Sequence, residues 1–164
     1  MLELKHAAFL AEMQRSNHAD DGRLALCFQL LSLGSAIDRD CANRLAPLGL
    51  TEGRFVLLFL LRTTATGLSP HKLAERAGVT RATVTGLLDG LEREKLVSRR
   101  TDPDDKRRIH VQLTEAGQAL AAHLFEQHAQ WIASLFADTS TEERRILGTL
   151  LQRVWLRTDT GRAA

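Results

Sequence analysis

The sequence predicts a mainly α-helical chain with one small β-hairpin, and three observations predict it. Side chains that start and stop helices recur along the 164 residues, with apolar residues between them at helical spacing. Between Ser69 and Lys95 a short helix, a glycine turn and a second helix follow one another closely. Two short runs of strand type then flank an Asp-Pro-Asp-Asp turn, residues 102–105.

Each element has a local cause. Leu2, His6, Phe9 and Met13 form one stripe of a first short helix, ended by the polar break Ser16–Gly22. A long helix runs from about Arg23 to Ala46, where Pro47 and Gly49 stop it. Its apolar residues, among them Leu24, Phe28, Leu31, Leu33 and Ile37, cover more than one face and require partners on two sides. Thr51 caps the next helix, to about Thr64. Ser69 is a cap with Pro70 at the first helical position, and this helix ends at Ala77–Gly78. Thr80 caps a helix ending near Lys95. Leu96–Arg100 and Arg108–Leu113 are the strands, with Pro103 fixing the turn. Thr114 caps a helix to about Phe136. Ser140 and Glu143 make a capping box for the last helix, to about Arg157. Asp159–Ala164 is expected to fray.

The totals exclude several classes. Hydrophobic residues at 44% and charged residues at 26% are ordinary for a soluble protein. No apolar run approaches the ~20 residues that span a bilayer, and no leader pattern opens the chain, so a cytoplasmic location without membrane contact is expected. The net charge of +2 is unevenly placed: residues 65–114 hold 10 Lys/Arg against 7 Asp/Glu, the remainder 12 against 13. The basic excess thus sits on the helix pair and hairpin. Neither a phosphate loop nor a nucleophile elbow is present, so no enzyme and no cofactor is expected. His123 and His128 are five apart, off the spacing that aligns two metal ligands on a helix, so no metal is expected either. Cys27 and Cys41 share the long helix about 21 Å apart and cannot pair within one chain.

The helix pair and hairpin carry the chemistry. Leu73, Ala77, Val79, Val84 and Leu87 are spaced to pack the two short helices across Gly78, and Val84, Leu87, Leu88 and Leu91 make the second helix's buried stripe. The opposite arc presents Thr80, Arg81, Ala82, Thr83, Thr85 and Gly86. Small and hydrogen-bonding side chains near a helix N-terminus can enter a major groove, where an arginine fork matches a guanine edge. Five cations, Arg99, Arg100, Lys106, Arg107 and Arg108, surround the hairpin turn. Asp105 and Arg107 share one side of an extended strand, so the carboxylate can hold the guanidinium extended toward a minor groove. Arg99, Lys106 and Arg108 suit phosphates, and Ser69 and His71 sit where a helix N-terminus meets a backbone.

The runs Thr80–Glu92, Asp102-Pro-Asp-Asp-Lys-Arg107 and Leu113-Thr-Glu-Ala-Gly117 resemble the MarR family of winged-helix transcriptional regulators. The resemblance extends from about Arg23 to Arg157. It implies a winged helix-turn-helix whose recognition helix is about Thr80–Glu92 and whose wing pair is Asp105 and Arg107. It also implies a homodimer with interlocked terminal helices, bound to duplex DNA at a pseudo-palindromic operator, usually as a repressor released by a small molecule or an oxidant. The expected divisions are an N-terminal extension (1–22), a helical dimerisation region (23–50 and 115–158), the winged helix (51–114) and the tail (159–164).

Two readings of the switch follow. An apolar cleft between the dimer and DNA-binding regions, lined by Leu30, Phe55 and Phe59, would take an aromatic or amphipathic ligand, with the N-terminal segment Leu2–Met13 adding to the dimer or covering the cleft. Alternatively Cys27, whose context Leu26-Cys27-Phe28-x-Leu30-Leu31 is similar to that of the family's organic-hydroperoxide sensors, acts as a thiol sensor. Those sensors hold the thiolate with tyrosines, and this chain has none; Leu31, Cys41 and Glu52 stand at the corresponding positions. Burial as a small hydrophobe is the plainer expectation for Cys27. Dimerisation also follows from the residues: Leu120, Leu124, Trp131, Leu135, Ile146, Leu150, Val154 and Trp155 offer more apolar surface than one small lobe covers.

Overall fold

The structure is a computed structural model that describes residues 2–16, 21–64, 66–101 and 109–163. Helices α1 (Leu4–Arg15), α2 (Arg23–Leu45), α3 (Glu52–Arg62), α4 (Pro70–Ala77) and α5 (Arg81–Arg93) precede strands β1 (Val97–Thr101) and β2 (Ile109–Leu113). Helices α6 (Glu115–Ser134), α7 (Thr141–Trp155) and α8 (Asp159–Ala163) follow. The predicted mainly helical fold with a two-stranded wing is the observed one.

The caps form as their sequences dictate. Thr51, Ser69, Thr80 and Thr114 each accept a backbone N–H three residues on, and Ser140 and Glu143 complete a reciprocal box. Pro47 falls within a 3-10 turn, Ala46–Leu48, which closes on Gly49 at φ 67°. The tail departs from expectation. Instead of fraying, residues 159–163 form a helical turn, because the Thr158 hydroxyl caps Gly161 N–H (3.0 Å) and Arg162 pairs with Asp159.

The core lies between α3 and the winged helix. Leu57, Leu58 and Leu61 of α3 meet Leu73, Val84, Leu88, Leu91 and Val111, all essentially inaccessible to water. Each such side chain contributes about 1.5–3 kcal/mol on burial, so α3 is the beam on which α4, α5, the wing and α6 are hung. Val79 lies outside this core: it is 41% exposed, since the turn at Gly78 carries it past the packed faces of α4 and α5. The wing is antiparallel, with Val97 opposite Leu113 and Arg99 opposite Val111. Leu68 adds a bridge to Val111 through two backbone hydrogen bonds of 2.8 and 3.0 Å, fixing the wing to the loop before α4.

Helix α1 packs on α2. His6 stacks on Phe28 (4.8 Å between centroids) and its Nδ1 meets the buried Ser32 hydroxyl at 2.9 Å. Glu3 pairs with Arg39 (2.9 Å), and its carboxyl is held below the usual range by Arg39 and then Lys5.

Candidate DNA-binding surface and effector cleft

The first turn of α5 is exposed along Thr80, Arg81, Ala82, Thr83, Thr85 and Gly86, while Val84, Leu88 and Leu91 are buried behind it. The hydroxyls are already oriented. Thr80 Oγ1 accepts from Thr83 N–H (3.1 Å) and lies 2.9 Å from Thr83 Oγ1. Thr85 donates to the Arg81 carbonyl (3.0 Å), which leaves its oxygen free to accept from an adenine or cytosine amino group. Beside this turn, Ser69, His71, Lys72 and Arg76 line a groove of about 750 Å3 against Ile109 and His110 of β2. Ser69 Oγ accepts from Lys72 N–H (3.3 Å), so its own proton remains for a phosphate. This groove joins the α4 N-terminus to the wing.

Arg99 does not stand free for a phosphate. Its guanidinium is 2.5 Å from Asp89 and 3.5 Å from Glu92. β1 runs beside α5, and the two carboxylates, three residues apart on that helix, neutralise the charge. Arg99 therefore braces the wing against α5, whereas Arg100 is exposed. Asp105, Lys106, Arg107 and Arg108 lie outside the described residues.

A second concavity lies between α3 and α6. Phe55, Phe59, Phe125, His128, Ala129, Ile132 and Ala133 enclose about 470 Å3. Phe59 stacks on Phe125 (5.5 Å) and Phe55 leans on His128 (4.7 Å). Arg62 lies over the Phe125 ring at 4.9 Å. His128 is the polar group of this wall. Burial, and then Arg44, lower its pKa, partly opposed by Glu52, so the imidazole is neutral at physiological pH. Its Nε2 lies 3.5 Å from Cys41 Sγ.

Phe55 and Phe59 line this cleft, and Leu30 does not: the cleft is walled by α3 and α6, and Leu30 belongs to α2. Residues of α1 do not line it either. Phe125, His128 and Ile132 were missed, although their spacing marks one face of α6. That face lies next to the one carrying Leu124 and Trp131, which pack in the chain's own core at 4% and 7% exposure.

The cysteines divide. Cys41 is buried and Cys27 is exposed, so the expected burial of Cys27 does not hold within one chain. The wide apolar surface of α2 has neighbours on only part of its circumference, and Leu26 and Leu31 are exposed with Cys27. Burial, followed by the nearby Glu52 and Asp38 carboxylates, pushes the Cys41 thiol up, so it stays protonated at neutral pH. Among the described residues no group of three or more His, Cys, Asp or Glu is placed to hold a metal ion, and no helix is long and apolar enough to cross a membrane.

A helix-turn-helix joined to a two-stranded wing, its second helix presenting a polar first turn, defines a winged-helix protein. The family model for the MarR family matches residues 50–109. The HTH-type transcriptional repressor YetL of Bacillus subtilis is 36% identical over 93% of this chain and 97% of its own length. The chain belongs to the MarR family. Its fold is also that of the reduced form of MarR from E. coli (28% identity, TM-score 0.65, 83% of this chain and 96% of that one). Streptococcus pneumoniae FabT, solved in complex with DNA, shares the fold at 20% identity (TM-score 0.71, 80% of this chain and 93% of that one).

Proposed function

We propose that this protein is a DNA-binding transcriptional repressor, acting as a homodimer on a two-fold related operator and released by a small aromatic or amphipathic ligand. The exposed first turn of α5 beside a cationic groove carries this reading. Arg81, Thr83 and Thr85 read base edges and Thr80 orients Thr83. Ser69, His71, Lys106 and Arg108 hold phosphates, and Arg107, braced by Asp105, enters the minor groove. Two α5 helices related by the dimer axis lie about 34 Å apart, one turn of duplex. Kinship with a repressor supports the direction of control.

Dimerisation is supported by α7, which buries no residue of its own and exposes Ile146, Leu147, Leu150, Leu151, Val154 and Trp155 by 38–51%. The α3/α6 cleft favours a ligand with a flat apolar body, which would slide between the stacked rings and shift α3, the beam beneath α5. Fluorescence-anisotropy titration of promoter DNA at two salt concentrations tests the core of this reading. Binding should weaken steeply with salt and exceed that of random duplex. Arg107→Ala should weaken it by about 1–3 kcal/mol, and unchanged affinity would refute the wing assignment.

The exposure of Cys27 favours a second reading, in which its oxidation releases DNA. Iodoacetamide should then alkylate Cys27 well before Cys41, and hydroperoxide should release DNA from the native protein but not from Cys27→Ser. Release from the variant as well would exclude Cys27 as the sensor.

A further inference from the structure

Arg54 stands apart from every role given so far. It lies in the first turn of α3, one residue before the cleft-lining Phe55, and its side chain is only 18% exposed. One amino group of its guanidinium donates to the Gly49 carbonyl (3.2 Å) in the turn that ends α2, and to Glu94 Oε1 (2.8 Å) at the C-cap of α5. The plane of the guanidinium covers Gly90, where any Cβ would overlap it. Next to it, Gly53 admits the Leu87 side chain: a Cβ there would lie 3.0 Å from Leu87 Cδ1. The C-terminal half of α5 is thus clamped to α3 and to the end of α2 by one cation resting in a notch made by glycine.

We infer that Arg54 is a positioning residue for DNA recognition: through Glu94 and Gly90 it sets the angle at which α5 presents Arg81, Thr83 and Thr85. A rigid helix turned about its far end displaces its near end, and a small misplacement of base-reading side chains is enough to lose their hydrogen bonds. Arg54 needs no contact with DNA for this. The inference rests on α5 being the helix that reads DNA.

Glu94→Gln provides the test, because charge and position predict opposite signs. Removing a carboxylate from a protein that binds a polyanion should strengthen binding if only charge matters. If Glu94 acts by holding Arg54, the variant should lose about tenfold in affinity for the duplex that the native protein enriches from a random-sequence pool. Its affinity for random duplex should stay the same or rise, and its thermal midpoint should barely move. Arg54→Met should show the same selective loss, and Arg54→Met/Glu94→Gln should be no worse than the poorer single variant. Gly90→Ala, which evicts the guanidinium, should also lose selectivity in the native background and lose nothing further beside Arg54→Met. Arg81→Ala separates the two layers of the argument. If Arg81→Ala loses selective affinity while Glu94→Gln binds the enriched duplex as tightly as native, α5 reads DNA and Arg54 does not position it. If Arg81→Ala is silent, α5 is not the reader and the positioning role falls with it.

Discussion

Leu150→Glu/Val154→Glu is expected to yield a folded monomer that has lost most of its affinity for the operator. Both residues lie one turn apart on α7 and are 49% exposed in the single chain. Ile146 continues their row, and Leu147, Leu151 and Trp155 form the row beside it. An exposed apolar face of this size on an amphipathic helix marks an interface. Covering six large apolar side chains contributes several kcal/mol, at about 1.5–3 kcal/mol for each fully buried one. In a two-fold interface each substitution occurs twice, so the variant places four carboxylates where apolar contacts stood. Their desolvation exceeds what the interface gains. The core around Leu57, Leu58 and Leu61 lies elsewhere, which is why the subunit should stay folded. Loss of the second half-site removes roughly half of the specific binding energy, about a thousandfold or more in affinity. Sedimentation velocity reads the mass, circular dichroism the fold, and anisotropy the DNA affinity. A variant that stays dimeric would move the interface away from α7.

The same helix shows what a sequence does and does not disclose. Ser140 and Glu143 cap each other because the partners are three residues apart, and such local chemistry is legible at once. So are Ser69 with Pro70, Thr80 and Thr114. The apolar excess was legible as an amount but not as a location. Leu124 and Trp131 recur at helical spacing, as Leu150 and Val154 do, yet they are covered by their own chain. Periodicity reports that a face needs a partner and leaves the partner unnamed.

The candidate site divides along the same line. The polar first turn of α5 could be read from residue types and a cap. The fate of Arg99 could not, because Asp89 and Glu92 come within reach only when β1 is laid beside α5. The Leu68–Val111 bridge, the His128 wall of the cleft and the exposure of Cys27 likewise depend on how elements dock, which no single segment encodes. Arg54 is the clearest case. In sequence it is one cation in a helix, and Gly90 is one weak helix former. Only their contact gives each a reason.

Gly117→Ala should lower stability by about 3 kcal/mol, at the top of the range for overpacking. Gly117 is the last residue of the Leu-Thr-Glu-Ala-Gly run and lies in the first turn of α6. Thr114 ties that turn to the entrance of the wing: its hydroxyl donates to the Lys95 carbonyl (2.7 Å) and accepts from Gly117 N–H (3.0 Å), and its own N–H donates to the Leu96 carbonyl (3.0 Å). That carbonyl faces the α carbon of Gly117, and a Cβ there would overlap it. The obstacle is backbone, so no rotamer change relieves it. Lys95 is already at φ 59°, outside the comfortable region for a side-chain-bearing residue, which leaves the strand entrance little room to yield. Gly86 is the control. It lies within α5 with open space where a Cβ would go, so Gly86→Ala should raise stability by up to about 1 kcal/mol through helix propensity alone. Urea unfolding of the two variants reads opposite signs from the same substitution. Equal shifts would mean that propensity governs both sites and that the Leu96 carbonyl is no wall. Opposite shifts would identify the Thr114–Gly117 turn as the joint that sets α6 against the wing, and Gly117→Ala should then weaken DNA binding beyond what its unfolded fraction explains.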